Sequence, residues 1–342
     1  MIQVQLRVPQ DLQDAREQLQ TAIGVEFGTL PPYLYAMFSI PPGANERSAA
    51  LIRSVLMEEM VHLCLVSNIL NALGGSPQLV PPSYPGYLPG HIGPDGNPLK
   101  LHLLPFSRAA MQQGMNIEQP ESPPEFPVAK AKFHAAMPAA VTIGQFYEGL
   151  DKFLATLPPE AWHRGRNQLD DRQFLAGELF AVNTYADAHR AIKVIVSEGE
   201  GTGDNPLDFA DQVAHYFRFG EIFRDKVLTK ISQEPGYQWG PEALGVAWDQ
   251  VYPAIPDPQT HDFSTDPPDA QSAQRACNQA YSEMIDALRL ALNGQPAQFG
   301  VAVRAMFDLS MAARLALNTS LADGTVSGPA FLYVPQQAGA TS

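Results

Sequence analysis

LIRSVLMEEMVHLCLVSNILNALGG, from Leu51 to Gly75, is an apolar helix with two polar groups set into its inner face. Ile52, Val55, Val66 and Leu73 recur at helical spacing, and Glu59 and His62 fall on or beside their stripe rather than on the solvated side. A carboxylate inside an apolar core costs several kcal/mol unless it is paired or bound to metal. The Glu-x-x-His spacing puts carboxylate and imidazole on one helical face, within reach of one ion. Taken alone, the pair fits a hydrogen-bonded core couple as well as a metal half-site.

The preceding helix decides between these readings. Ala15, Leu19, Ala22, Ile23, Glu26 and Leu30 form one stripe, and Glu26 is its only acid. An inward Glu on a neighbouring helix is the third ligand that such a half-site needs. The alternative is a core Glu bonded to Tyr33, Tyr35 or a lysine. Pro31-Pro32 removes two backbone donors and predicts a kink or break just past Glu26.

Helices are expected over 11–38 and 47–74, joined by Pro41-Pro42-Gly43-Ala44-Asn45, a turn short enough to make them antiparallel neighbours. Residues 76–130 carry twelve prolines, which denies the segment long helices. Its aromatic and apolar content predicts an ordered excursion packed on the bundle. Helical pattern returns over 142–157, starting at Thr142-Ile143-Gly144-Gln145, and over 173–199, stopped by the glycines of Glu198-Gly199-Glu200-Gly201-Thr202-Gly203. Further helices are expected over 208–231, 273–292 and 299–321, with a second Pro-rich insertion over 241–268. Strand-like alternation is scarce, so the class is all-α, a single domain over 1–342.

The chain of 342 residues is 45% hydrophobic, enough for a large core, and carries a net charge of -14. That balance, with a pI near 4.9, argues against nucleic acid and against an anionic membrane surface, which are recognised through clustered Lys and Arg. The amino terminus has no signal-peptide core, and no run reaches the roughly eighteen apolar residues that span a bilayer, so a cytoplasmic location is expected. Cys64 and Cys277 are the only cysteines. Any metal must therefore be held by Glu, Asp and His, a donor set that suits iron or manganese.

A two-metal site needs a second half, yet the later helices contain no second Glu-x-x-His. Periodicity leaves Glu148, Glu178, Glu198, Glu200, His189, His215 and Glu221 open as candidates. Glu58 reads as a solvated acid or one that orients a ligand from outside. Arg218 and Glu221, three apart, read as a pair, and Tyr33, Tyr35 and Tyr147 as core aromatics or the lining of an oxidant pocket.

TAIGVEFGTLPPYLYAMFSI (21–40), the 51–75 stretch, TIGQFYEGL (142–150), AIKVIVSEGEGTG (191–203), HYFRFGEI (215–222) and NQAYSEMIDAL (278–288) carry a resemblance over about residues 10–334. In order and spacing they resemble the ferritin-like family typified by the iminophenyl-pyruvate dimer synthases of violacein and rebeccamycin biosynthesis. The resemblance implies a ferritin-like four-helix bundle with long Pro-rich insertions and additional C-terminal helices, holding two metal ions, iron or manganese. It implies Glu26, Glu59 and His62 as one set of ligands and Glu148, Glu198 and His215 as the other. The final Glu-x-x-His is then split, with Glu198 ending one helix and His215 on the next.

The expected function is a dinuclear non-haem oxidoreductase that acts on a small organic substrate with dioxygen or peroxide. Oxidative coupling of aromatic imino acids in secondary metabolism is the reaction that the resemblance implies. The alternative is a non-catalytic bundle that stores metal or serves as a structural partner. The Pro-rich excursions fit a shaped pocket, and would equally serve as a surface between copies in a homo-oligomer.

Overall fold

A computed structural model describes residues 8–92, 98–120, 143–172, 178–202, 205–232 and 236–335. Among them are eight α-helices: α1 Leu12–Phe38, α2 Glu46–Ala72, α3 Arg108–Ile117, α4 Ile143–Leu154, α5 Tyr185–Glu200, α6 His215–Arg224, α7 Pro268–Leu292 and α8 Gln298–Leu317. Beside three single-turn 3-10 helices there are two small antiparallel strand pairs, β1 Gly86–Ile92 with β2 Pro98–Leu101, and β3 Leu228–Lys230 with β4 Tyr237–Trp239. The expected all-α class holds.

The long helices are anchored by side chains at both ends. Asp11 caps α1 by accepting from Asp14 N at 2.9 Å. At the start of α2, Asn45 takes the left-handed conformation that asparagine tolerates, φ 46. Its amide bonds the 247–250 loop rather than its own helix. Near the other end of α2, the buried Asn68 donates to Leu169 and Phe180 carbonyls, and Asn71 to that of Leu292. These amides tie irregular chain to the rod where a leucine would leave the carbonyls unpaired.

Of the kink or break expected at Pro31-Pro32, the break does not occur: helix α1 runs through both prolines, as the helix expected over 11–38 requires. Pro32 has no N–H for the carbonyl of Gly28, and the Tyr84 hydroxyl supplies the missing donor at 2.6 Å. Tyr84 belongs to the Pro-rich excursion, so the insertion repairs the helix it covers. The excursion also buries Leu88 and Leu101 and contributes α3.

The expected helix over 173–199 begins only at Tyr185, where Thr184 caps Asp187 N; residues 173–177 lie outside the described residues, as does Thr142 of the start expected for α4. The helix expected over 208–231 shrinks to α6. Asp208 binds the N–H groups of Ala210 and Gln212 in a turn before it, and Asp225, with φ 51, ends it. The C-terminal pair starts at Pro268 and ends at Leu317, with α7 and α8 packed along each other.

α1 packs on α2, α3 on α6, and α4 on α5. Pairing first with last and middle with middle is the pattern of two antiparallel rods, each interrupted along its length. Their interrupted ends, at Ile117, Ile143, Glu200 and His215, are where the polar core lies.

Candidate metal centre

Glu26 comes from the middle of α1, and Glu59 and His62 from the middle of α2, all three almost fully buried. His215, the first residue of α6, is completely buried beside them, and Glu118 joins from the residue just past α3. α3 can deliver Glu118 because Gly114 lies against the Phe219 ring of α6. A Cβ on Gly114 would meet that ring at 2.8 Å, inside van der Waals contact.

Two groups of ligand-type atoms result, Glu26–Glu59–His62 and Glu59–Glu118–His215, each with its atoms within 4.8 Å of one another. Glu59 belongs to both. In the first, His62 Nδ1 stands 3.7 Å from Glu26 and 3.6 Å from Glu59. In the second, His215 Nδ1 stands 2.9 Å from Glu59 Oε1 and 3.7 Å from Glu118. The two imidazoles stack with ring centres 5.5 Å apart.

The outer contacts repeat across this pair. His62 Nε2 donates to Glu198 at 2.7 Å, and His215 Nε2 donates to Glu58 at 2.8 Å. The Tyr147 hydroxyl donates to Glu26 and the Tyr33 hydroxyl to Glu118, both at 2.5 Å. Arg218 fixes Glu58 at 2.7 Å, and Thr29 lies 2.8 Å from Glu59 Oε2. A carboxylate on the far nitrogen of each ring keeps that nitrogen protonated and turns the Nδ1 lone pair inward, the usual support of a metal-binding histidine.

Electrostatics place protons where cations would sit. Burial opposes charge on His62, yet the oxygens of Glu198, Glu26 and Glu59 outweigh it and hold the ring protonated well above the ordinary histidine value. Burial is likewise overcome at His215, by Glu118, Glu58 and Glu59. It is overcome at Glu59 too, where the neighbouring imidazoles of His215 and His62 hold the carboxyl below its usual range. Burial prevails at Glu26 and Glu118, and with the Glu59 charge pushes both upward.

The donor set fits a pair of hard cations. Three carboxylates and two imidazoles converge, with no cysteine in either group. His215 Nδ1 is buried without a hydrogen-bond partner among the described residues, despite its closeness to Glu59.

The structure thus brings together Glu26, Glu59, His62 and His215 of the residues expected from sequence, and places Glu148 and Glu198 outside that group. Glu148 is exposed and pairs with Lys152 at 2.6 Å. Phe146, Tyr147, Leu150 and Leu154 form the buried stripe of α4, so it is Tyr147 that faces the centre. Glu198 is present but stands one imidazole away, orienting His62. Glu118 was not expected; its signal is Ser107 as a helix cap followed by Ala110, Met111 and Met115, with Glu118 three residues on along the same face.

Among the other candidates, Glu200 accepts from Gly144 N at 2.7 Å in the first turn of α4. His189 pairs with Asp151 and Glu178 is exposed. Arg218 pairs with Glu58 rather than with Glu221, whose carboxylate accepts from Leu228 N.

In a comparison with solved structures, the chain is similar to a ferritin-like protein from Caulobacter vibrioides, with TM-score 0.62, 24% identity and coverage of 94% of this chain and 99% of that one. At that identity the likeness concerns the fold. Among curated proteins, none matches the chain. A ferritin-like family model matches residues 19–224, which contain every residue of the candidate centre, and the chain belongs to the ferritin-like family.

Proposed function

We propose that this protein is a dinuclear non-haem metal enzyme, with iron as its metal, that oxidises a small organic substrate using dioxygen or peroxide. The observation that carries the reading is the pair of three-residue groups sharing Glu59, each with its own histidine-orienting carboxylate. Glu26 and His62 would hold one ion and Glu118 and His215 the other, with Glu59 between them. Two such ions supply redox capacity and open coordination positions.

The chain's own residues do the rest. Glu198 and Glu58 keep the two imidazoles in the tautomer that presents Nδ1. Tyr147 and Tyr33 each occupy one oxygen of the terminal carboxylates, leaving the other free to bind, and their hydroxyls place a proton beside each half of the centre. Ile195 and Val196 line the small cavity at the ligands and limit water there. The resemblance to the iminophenyl-pyruvate dimer synthases makes aromatic 2-imino acids the first substrates to screen.

The test is metal analysis after iron-replete expression, followed by oxygen or peroxide consumption with aromatic 2-imino acids. The expected result is about two metal ions per chain, lost in Glu59→Gln and His62→Ala, with substrate-dependent consumption. Absence of bound metal would overturn the reading. Uptake of many iron atoms per chain without substrate turnover would favour storage.

A further inference from the structure

On α1 and α2, the faces turned away from the ligands form one wall of a second cavity. Phe27 and Met60, the sequence neighbours of Glu26 and Glu59, line it, whereas Glu26 and Glu59 do not. The other wall is the α7–α8 pair, through Met284, Phe299 and Met306 among others. The cavity has a volume of about 260 Å³ and an almost wholly apolar lining that includes five methionines, unbranched side chains that adapt to a flexible apolar guest.

Its shape and polar groups define the guest. Arg53 and Cys64, which both line it, lie eleven residues apart on α2, about 16 Å along a helix. The cavity is therefore elongated. At the Arg53 end it joins an outer cleft of about 810 Å³, sharing Phe38, Phe307 and Ser310 with it. Arg53 is the one charged side chain on the inner lining, and it makes no ion pair or side-chain hydrogen bond with the described residues. Further in, the lining is closed by apolar side chains and by Tyr281, which is 1% exposed.

We propose that this cavity is a binding site for an elongated apolar monocarboxylate of the medium-chain fatty-acid type. The carboxylate is held at the mouth by Arg53 and Ser310. The chain lies against the methionines and phenylalanines. In a protein of net charge -14, an unpaired cation at the mouth of an apolar channel selects an anionic guest that few surfaces of this molecule would attract. The site is distinct from the metal centre and needs no metal.

Calorimetric titration of the full chain with dodecanoate, below its micelle concentration and after removal of metal by chelation, tests this directly. The expected result is saturable binding of one molecule per chain. Affinity falls roughly fivefold for dodecanol in place of the acid, and by the same factor for the acid on Arg53→Gln, as for one solvent-facing ion pair. Binding of dodecanol is unchanged by Arg53→Gln. Met57→Trp and Met306→Trp, which place bulk in the channel at half-buried positions, remove binding of both probes; far-ultraviolet circular dichroism checks that they fold. Absence of saturable dodecanoate binding overturns the proposal. So does equal affinity of wild type and Arg53→Gln for the acid, or uptake of several molecules per chain.

Discussion

Glu198 and Glu58 carry no ligand atom to the centre, yet the two imidazoles are aimed by them. Removing such a carboxylate typically lowers metal affinity by about 10–100-fold while the fold persists. Glu198→Ala is therefore expected to lose metal during competition with a chelator that leaves the wild type loaded, with an unchanged circular dichroism spectrum. The same chelator assay ranks the carboxylates: Glu118→Ala releases metal, and Glu148→Ala behaves as wild type. An exposed Glu148 that retained no metal on substitution would show that α4 is turned differently. At this scale the sequence was legible where one helix supplied both partners, as at Glu59 and His62. Its signal for Glu118 was faint, because a residue at the end of a short helix inside a Pro-rich segment has little periodic context to reveal its face.

Continuity of α1 past its two prolines depends on an acceptor being answered from outside the helix. Tyr84→Phe leaves the Gly28 carbonyl buried without its donor, and the expected loss is about 1–3 kcal/mol, read as a lower midpoint in urea unfolding at unchanged slope. Sequence rules left a kink or a break open there because they count the donors a proline removes, not those that a distant tyrosine supplies. The short helices failed for a related reason. α5 and α6 begin at Thr184 and after Asp208 through local side-chain bonds that compete with helix, and α6 ends where Asp225 turns left-handed, so the apolar pattern outruns the helix itself. Gly114 shows the opposite case, a residue that weakens its helix but permits the contact with α6. Gly114→Val is expected to push α3 outward and lower the bound metal toward one ion per chain while Glu26, Glu59 and His62 stay in place.

Across the whole molecule, the long α1–α2 pair and the interrupted helices converge on a polar core that is costly without cations. Metal should therefore act on global stability: at about a hundredfold excess over its dissociation constant a single bound ion adds about 2.7 kcal/mol. Differential scanning calorimetry should record a rise in melting temperature on adding iron or manganese to the metal-free protein, absent in Glu59→Gln. No shift in the wild type would mean that the ligands do not cooperate with folding. Fold class and the first half of the site were readable because long amphipathic helices advertise their inner faces. The second half was not, since it is assembled from helix ends whose positions depend on loops. Its assembly also leaves the two halves unequal. Glu59 leans toward His215, at 2.9 Å, while on the other side it keeps 3.6 Å from His62. The His62 side is open to a first cation, whereas the His215 side must first part Glu59 from its ring. Occupancy should thus be sequential, giving a two-step titration and a route to mixed-metal forms in which each position holds a different element.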